Sequence, residues 1–286
     1  MAQRREDMAQ ERIGVIGPGR MGLAMVRHLV KAGYEVTVAD IDPERVKLAE
    51  KEGARGAATP AEVGEASDFA IIAVGYDDEA IAVTTGENGL LEGMGEGGII
   101  AVSSTCAPDT VQMLDEAARA KGIDVYDAPI CRGRRAADEG TLLAVVGATV
   151  EVARRAEPIY ARFCSDIKHI GPVGHGQIAK AMNNLLLWVN GIALIEAGRL
   201  CEAFDVDLPR LRDALMISTG KNGALEGWTT MTFTWALKDM QVVSKMTDKA
   251  NIGVPLIGAV RELVKEGRRI KATNPPDWTG QGSDLS

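Results

Sequence analysis

Short apolar runs alternate with longer amphipathic stretches from Ile13 to about residue 170. The runs are IGVIG, YEVTVA, DFAIIAV, GIIAVS, IDVYDA, TLLAVV and DIKHI. Because they are nearly continuous, they are typical of strands that are covered on both faces of a sheet. Between them, PERVKLAEKEG and PDTVQMLDEAARAKG begin with Asp-Pro or Pro-Asp start signals and end near a glycine, which predicts helices. The alternation predicts an α/β fold with a doubly wound, mostly parallel sheet.

The pattern changes after GPVGHG, near residue 172. Long apolar stretches with helical spacing follow, including IAKAMNNLLLWVNGIALIEAGRLCEAF and TFTWALKDMQVVSKMTDKA, without a convincing strand pattern. We therefore predict a disordered tail at residues 1–11, an α/β domain at 12–171 and an all-α domain at 172–286. The last stretch, NPPDWTGQGSDLS, is rich in turn formers and is predicted to be irregular.

Composition and charge narrow the classes of partner. The chain has 286 residues, of which 46% are hydrophobic and 25% charged, as is typical of a soluble globular protein with one large or two ordinary domains. A formal net charge of -8 disfavours nucleic acid and anionic membranes, because both attract a basic surface. We therefore expect a small-molecule substrate and neither of those partners.

The cysteines, the histidines and the first residues argue against metal binding and export. The four cysteines are widely separated, with no CxxC pair, and the three histidines lack zinc-ligand spacing. The first ten residues, MAQRREDMAQ, lack the apolar region of a signal peptide, and no stretch is expected to reach the ~20 apolar residues that span a bilayer. The sequence predicts a reduced, cytoplasmic protein without a metal.

The segment IGVIGPGRMGLAMVRHLVKAG places three glycines in GxGxxG spacing, after a predicted strand and at the start of an amphipathic helix. Gly17 permits a tight turn, Gly19 lets the backbone approach a pyrophosphate, and Gly22 allows close packing of helix against strand. The helix start supplies N–H donors, and those of Arg20 and Met21 are the expected ones. We interpret the segment as the dinucleotide cradle of a Rossmann domain.

Asp40 ends the second predicted strand. A carboxylate at this place accepts hydrogen bonds from the ribose hydroxyls of NAD and repels the 2′-phosphate of NADP, so NAD is the predicted cofactor. Two alternatives stay open at this point. Asp40 could serve only to cap the turn in ADIDPERV, and Arg45 could still meet a phosphate.

Lys180 lies in GHGQIAKAMNNLL, on a predicted helix that leads into an apolar run. Asn184 shares its helix face, and Asn183 lies on the adjacent row. One alternative is a lysine whose stem covers apolar surface while the amides are satisfied by backbone or by a partner helix. Because the helix begins where the first domain ends, its first turns are expected to face an interdomain cleft. There Lys180 can exchange a proton with a substrate hydroxyl, as hydride transfer requires.

These segments resemble the 3-hydroxyacid dehydrogenase family, which includes 3-hydroxyisobutyrate dehydrogenase and tartronate semialdehyde reductase. GVIGPGRMGLAMVRHLVKAG is similar to its cofactor signature, SSTCAP to its Ser-Thr-x-x-Pro segment, DAPICRG to its substrate loop and GHGQIAKAMNN to its catalytic segment. LKDM, at residues 237–240, is similar to a further segment that contacts the cofactor. The resemblance covers nearly the whole chain.

The resemblance implies a Rossmann domain, an all-helical C-terminal domain, and homodimers or homotetramers joined through that second domain. It implies that Lys180 is the catalytic acid/base and that Asn184 binds substrate. By position, it also implies that Val74, Gly75, Thr105 and Lys238 contact the cofactor. It implies in the same way that Ser104, Cys131, Arg132 and Gly133 contact the substrate. For Thr105 the alternative is a helix cap ahead of Pro108, and for Lys238 it is a solvated helix charge.

The substrate loop departs from the common family pattern DAPVSGG, because Cys131 replaces a serine and Arg132 replaces a glycine. Sulfolactaldehyde reductases resemble this pattern, with arginine at the matching place, and a planar guanidinium suits a carboxylate, sulfonate or phosphate. We expect Arg132 to anchor a distal anion of the substrate. The alternative is a solvated arginine-rich loop that Asp138 and Glu139 neutralise. Cys131 is expected to contact substrate but not to act as a nucleophile, because no base is evident beside it.

The sequence thus predicts an NAD-dependent oxidoreductase that interconverts a short 3-hydroxy acid and its semialdehyde. One alternative is an imine reductase, which the lysine and asparagine pair disfavours because members of that group usually lack the lysine. Another is a non-catalytic dinucleotide-binding module, for which loss of the catalytic lysine would be the signature.

Overall fold

The computed structural model describes residues 11–279. The strands are β1 (Ile13–Ile16), β2 (Val36–Ala39), β3 (Arg55–Gly56), β4 (Phe69–Ile72), β5 (Ile99–Val102), β6 (Asp124–Asp127), β7 (Ile130–Cys131), β8 (Leu142–Gly147) and β9 (Cys164–Gly171). The helices are α1 (Arg20–Lys31), α2 (Pro43–Lys51), α3 (Pro60–Glu65), α4 (Asp77–Thr85), α5 (Leu90–Gly93), α6 (Pro108–Arg119), α7 (Gly133–Glu139), α8 (Val150–Tyr160), α9 (His175–Glu202), α10 (Leu208–Met216), α11 (Gly223–Glu226), α12 (Ala236–Ala250) and α13 (Pro255–Thr273).

Two of the predicted segments extend beyond the described residues. Residues 1–10 of the predicted tail and 280–286 of the predicted irregular end lie outside them. Glu11, which the tail prediction included, is described, and its carboxylate pairs with Arg155 at 2.6 Å.

The strands form one nine-stranded sheet in the order β3-β2-β1-β4-β5-β6-β8-β7, and β9 also pairs with β8. Neighbours from β3 to β6 are parallel, β8 is antiparallel to β6 and β7, and β9 is parallel to β8. The continuous apolar runs are buried along their whole length in β1, β2, β4 and β5. The predicted doubly wound, mostly parallel sheet is confirmed.

Two short strands were not predicted. β3 and β7 have two residues each, which is too short to show a hydrophobic period. The position of β7 affects the site. Strand β9 pairs along one edge of β8, and both β6 and β7 pair along its other edge. Strand β7 therefore extends the sheet beyond the carboxyl end of β6.

Helices cover both faces of the sheet. One core lies between the sheet and α1, α7 and α8, and a second lies between the sheet and α3, α5 and α6. The strand order reverses between β1 and β4, which are neighbours although β2 and β3 separate them in the chain. The carboxyl ends of β1 and β4 therefore form a topological switch point, where ligands of such sheets bind.

The structure divides into two compact units, an amino-terminal unit that ends at Lys180 and a helical unit that begins at Ala181. The division falls within α9, and the predicted boundary after residue 171 stays a prediction. As far as residue 279, the helical unit contains helices and no strands. Its end lacks regular secondary structure after α13, yet Trp278 is fully buried there and its indole N–H donates to the Leu194 carbonyl at 3.0 Å.

Helix α9 bears on the expectation that no stretch of the chain is apolar enough to span a bilayer. Within residues 11–279, it is the one helix that is long and apolar enough, by length and composition, to cross a membrane. About 39% of its most apolar window is buried inside the structure. A core helix of a soluble protein passes the same test, so α9 is weak support for a membrane span.

Candidate active site

The turn between β1 and α1 needs two of its three glycines for its own geometry. Gly17 has φ +84°, in the left-handed region that favours glycine. A Cβ on Gly22 would lie 2.3 Å from the Gly17 carbonyl oxygen, which is closer than two such atoms can approach. These two residues bring the start of α1 directly against the end of β1.

Gly19 has no such need within the chain. Its φ is -72°, which any residue adopts, and the nearest neighbour of an added Cβ would be Arg45 Nη1 at 3.8 Å. A glycine there leaves open space beside the first N–H groups of α1, whose first turn carries no acidic side chain. Because a helix start attracts anions, this space fits the pyrophosphate of a dinucleotide.

Arg20 and Met21 begin α1, where backbone N–H groups have no acceptor within the helix. The Arg20 guanidinium pairs with Asp138 of α7 through both terminal nitrogens, and Nη1 donates to Oδ1 at 2.7 Å. This pair raises the pKa of Arg20 and lowers the pKa of Asp138. Met21 is half-buried and packs against the core under α1.

The Asp40 side chain is only 3% exposed at the end of β2. Its Oδ1 accepts the Asp42 N–H at 2.9 Å, and Arg45 Nη1 lies 3.4 Å from Oδ2. Asp40 therefore does stabilise the turn, as the simpler alternative expected, and its partner Arg45 is also the nearest neighbour of an added Cβ on Gly19. Its predicted role toward a ribose stays a prediction.

The loops after β4 and β5 are joined to each other. The Val74 N–H donates to Ser104 Oγ at 2.8 Å, and the Ala107 N–H donates to Asp77 Oδ1 at 2.9 Å. The Gly75 N–H donates to Glu79 Oε2 at 2.7 Å. The first two bonds join the two loops to each other. The loop after β4 also lies next to the glycine turn, since an added Cβ on Gly17 would lie 2.9 Å from the Ala73 carbonyl oxygen.

The structure gives Ser104 and Thr105 different positions. Ser104 is 4% exposed, and its hydroxyl is engaged with the backbone at the end of β4 and in the loop after it. Its predicted contact with substrate stays a prediction. Thr105 is half-buried and is not the cap of the next helix, since Ala107 is the residue that precedes Pro108 at the start of α6. The capping alternative for Thr105 is therefore wrong.

Lys180 is half-buried near the start of α9. Its Nζ donates to the Ile130 carbonyl at 2.7 Å and lies 3.9 Å from Cys131 Sγ. These are residues of β7, in the segment that resembles the family's substrate loop. The amino-terminal unit thus brings the predicted acid/base and two positions of that loop together beyond the carboxyl end of β6.

The predicted partner Asn184 follows one turn later on α9, in the helical unit. It is 6% exposed, and its Oδ1 accepts from Asn183 Nδ2 at 3.0 Å. The predicted contact of Asn184 with substrate stays a prediction, as does the interdomain cleft.

In the predicted substrate loop, Cys131 is 4% exposed, and Arg132 occupies the left-handed region with φ +82°, where glycine is favoured. Arg132 Nη1 contacts the Thr141 carbonyl at 3.0 Å, Ser165 Oγ at 2.9 Å and Asp166 Oδ2 at 2.7 Å. Its acidic partner is therefore Asp166 on β9, so the alternative in which Asp138 and Glu139 neutralise the arginine-rich loop is wrong for Arg132. The expected contact of Arg132 with a substrate anion stays a prediction.

The neighbours of Arg132 complete the loop. Arg135 pairs with Glu139 at 2.7 Å, as the solvated-loop alternative expected, while Asp138 is engaged by Arg20. Gly133 has φ +72°, and an added Cβ there would meet nothing within 4 Å. The predicted loop thus opens onto free space at Gly133.

Lys238 lies in the first turn of α12, in the helical unit. It is half-buried, and its Nζ is 5.8 Å from the centre of the Trp235 ring. The neighbouring Asp239 is buried and accepts the Trp188 indole N–H at 2.9 Å. LKDM therefore contains one residue that stabilises the helical unit beside the one predicted to contact the cofactor.

Two residues that sequence reasoning missed hold the start of α9. The Asp127 carboxylate accepts the backbone N–H groups of Gly174 at 2.8 Å and Gln177 at 2.9 Å. Burial raises the pKa of Asp127 to about 6, against the lowering effect of these hydrogen bonds. The Gln177 amide bonds to the Cys106 N–H and to the Ser104 carbonyl. A strand ending in Asp and a Gln three residues before the lysine were visible signals, but their partners are distant in sequence.

No candidate metal centre emerges from the described part of the chain. Among residues 11–279, no group of three or more His, Cys, Asp or Glu side chains could hold a metal ion. The four cysteines are free. Burial raises the pKa of the Cys164 thiol to about 12, which disfavours its thiolate.

Comparisons with known proteins cover both units. The family model described as the NAD binding domain of 6-phosphogluconate dehydrogenase matches residues 12–171. A second, described as "NAD-binding of NADP-dependent 3-hydroxyisobutyrate dehydrogenase", matches residues 174–277.

Relatives match at both levels, sequence and fold. The 3-hydroxyisobutyrate dehydrogenase of Pseudomonas aeruginosa is 34% identical over 213 residues, which are 74% of this chain and 72% of that protein. The 3-sulfolactaldehyde reductase of Escherichia coli K12 is 29% identical over 281 residues, 93% of each chain. A solved structure of Mycobacterium tuberculosis 3-hydroxyisobutyrate dehydrogenase with L-serine has a TM-score of 0.83 and 22% identity, over 94% of this chain and 96% of that one.

Proposed function

Because the chain belongs to the 3-hydroxyacid dehydrogenase family, we propose that it is an NAD-dependent oxidoreductase that interconverts a short 3-hydroxy acid and its semialdehyde. The relatives support a hydroxyacid oxidoreductase with a nicotinamide dinucleotide cofactor. The observation that carries the proposal is the position of Lys180, whose Nζ lies 2.7 Å from the Ile130 carbonyl of β7, beyond the carboxyl end of β6.

The cofactor site is assigned to the switch point of the sheet. The open side of Gly19 and the N–H groups of Arg20 and Met21 would receive the pyrophosphate. Asp40 favours NAD, because a fixed carboxylate accepts bonds from ribose hydroxyls and repels a 2′-phosphate. Val74, Gly75, Thr105 and Lys238 are proposed as further cofactor contacts. When bound, the nicotinamide supplies or accepts the hydride.

Lys180 moves the proton that accompanies the hydride. In oxidation its amine would take the proton of the substrate hydroxyl, and in reduction its ammonium would return a proton to the carbonyl oxygen. The Ile130 carbonyl orients Nζ, and Cys131, whose Sγ lies 3.9 Å from Nζ, is proposed to contact the substrate at the same place. We propose that the Asn184 amide holds the substrate.

The substrate is proposed to carry a distal anion that Arg132 binds. The three contacts described for Arg132 all use Nη1, and its side chain is 43% exposed. The other guanidinium nitrogens can therefore receive a carboxylate, sulfonate or phosphate in bidentate fashion. Asp166 holds the guanidinium in place rather than competing for the same donors. The open space at Gly133 leaves room for the substrate chain.

The proposal includes a cytoplasmic protein that forms homodimers or homotetramers. The acidic charge and the fold shared with bacterial dehydrogenases support a soluble protein. Large apolar side chains of the helical unit are exposed, among them Leu186 and Leu200 at 62% and Ile217 at 91%, and support self-association through that unit. Sedimentation equilibrium tests this part, and a monomer at micromolar concentration would contradict it.

The activity is tested by following NADH formation over short 3-hydroxy acids that end in methyl, carboxylate, sulfonate or phosphate. We expect turnover of the anion-ended compounds. Arg132→Ala should raise KM for such a substrate far more than KM for NAD, because it removes a substrate contact only. Equal effects on both KM values would contradict the role of Arg132. Tight NAD binding without turnover of any compound would contradict the activity.

A further inference from the structure

Two hydrogen-bonded clamps hold the start of α9, one against the last residue of β6 and one against the first residue of β7. In the first, the Asp127 carboxylate accepts the N–H groups of Gly174 at 2.8 Å and Gln177 at 2.9 Å. In the second, Lys180 Nζ donates to the Ile130 carbonyl at 2.7 Å. Ile130 follows Asp127 by three positions and Lys180 follows Gln177 by three, which is about one helical turn on α9. The first clamp therefore sets the distance and rotation at which the second can form.

The Gln177 side chain extends the first clamp to the loop after β5. Gln177 is fully buried, its Oε1 accepts the Cys106 N–H at 3.0 Å, and its Nε2 donates to the Ser104 carbonyl at 2.9 Å. Ser104 Oγ in turn accepts the Val74 N–H at 2.8 Å. One amide thus links the helix of Lys180 to both loops that are proposed to contact the cofactor.

The backbone of α9 is closely packed against the sheet at the first clamp. An added Cβ on Gly176 would lie 2.6 Å from the Val145 carbonyl oxygen and 2.7 Å from that of Asp127. Both neighbours are backbone atoms of the sheet, so neither can rotate away. The helix start rests directly on β6 and β8, and Asp127, 47 residues before Gly174, fastens it there.

The chemical types in the clamp fit positioning better than simple capping. A helix start can be capped by a side chain from its own preceding residue, as Asp42 does for α2. Here the acceptor comes from the sheet, is fully buried, and uses both of its oxygens. Burying a carboxylate is unfavourable in itself. We infer that this arrangement compensates by fixing the position of the helix.

We propose that Asp127 and Gln177 are positioning residues that place Lys180 for proton transfer and hold it in register with the loops after β4 and β5. The kinetic part of this inference rests on the proposed function. The inference itself concerns where the Lys180 ammonium lies, and that can be measured without turnover.

The test compares Gln177→Leu, which removes both amide bonds, with Thr84→Val as the matched control. Thr84 is also fully buried and loses one hydrogen bond, to the Ala80 carbonyl in α4, away from the clamp. We expect Gln177→Leu to lower kcat about tenfold or more and to raise the primary deuterium isotope effect, because misplacement slows the chemical step. Thr84→Val should leave the isotope effect unchanged.

Gln177→Glu provides a rescue within the same site. A protonated glutamic acid offers an O–H donor and a carbonyl acceptor, as the amide does, and burial favours the protonated form. The kcat of Gln177→Glu, relative to wild type, should therefore rise as pH falls. A relative kcat that does not rise would contradict the role of the donated bond to Ser104.

The position of Lys180 is read directly from its 13C-methyl NMR signal after reductive methylation, assigned with Lys180→Arg. Gln177→Leu should shift this signal and Thr84→Val should not. If the two variants give the same Lys180 signal and the same isotope effect, the positioning role is overturned. If the wild type turns over no hydroxy acid, the proposed function fails while the NMR comparison still decides the positioning role.

Discussion

Replacement of Asp127 by asparagine should change how the stability of the protein depends on pH. Asp127 is fully buried, and burial raises its pKa from 3.8 to about 6. The folded state therefore holds this proton more tightly than the unfolded chain does. The stability that Asp127 contributes is fully present below pH 3.8 and is lost as pH rises through about 6. The asparagine side chain does not titrate, so the Asp127→Asn variant lacks this loss.

The magnitude follows from the difference between the two pKa values. A tenfold change in proton affinity corresponds to ~1.4 kcal/mol, so a pKa that rises from 3.8 to about 6 contributes about 3 kcal/mol. The free energy of unfolding of wild type minus that of Asp127→Asn should fall by about this amount between pH 4 and pH 7. Tyr126 and Tyr160 interact electrostatically with Asp127, but their raised pKa values keep them neutral over this range. Other titrating groups are common to both proteins and cancel.

Urea unfolding followed by far-UV circular dichroism at several pH values measures this difference. The four tryptophans, Trp188, Trp228, Trp235 and Trp278, all lie in the helical unit, so their emission follows that unit separately. A difference that stays constant, or that rises with pH, would refute the assignment of a raised pKa to Asp127.

Further predictions concern the cofactor site. Asp40→Ala should lower the ratio of kcat/KM for NAD to that for NADP about tenfold or more, because it removes a charged acceptor and a repulsive charge; an unchanged ratio would contradict the ribose role. Asp138→Asn should lower the Kd for NAD about two- to fivefold at low salt, because it leaves the Arg20 charge at the start of α1 unopposed. Calorimetry measures both the Kd and its salt dependence, and a higher Kd would contradict this reasoning.

The sheet was predictable because its strands are continuous apolar runs bounded by turn signals. The helices α2 and α6 were predictable from proline at their first turn, where proline is tolerated. The two-residue strands β3 and β7 could not be predicted, since a period cannot show in two residues. The position of Lys180 depends on β7, so this part of the site required the structure.

The hydrogen-bond and ion-pair partners of charged side chains could not be predicted from the sequence either. Sequence reasoning looked for the partner of Arg132 among nearby acids, but pairing of β8 with β9 brings Asp166 to it from 34 residues away. The bond from Asp127 to Gln177 spans 50 residues in the same way. Such contacts follow from strand order and register, which local pattern does not determine.

Lys180 is proposed to move the proton in hydride transfer. The most direct measurement compares wild type with Lys180→Ala in NADH formation on an anion-ended 3-hydroxy acid, together with NAD affinity by calorimetry. We expect kcat to fall about 10²- to 10⁴-fold, as is typical when an acid/base is removed, while the Kd for NAD stays about the same. A variant that keeps wild-type kcat on the same substrate would contradict the account.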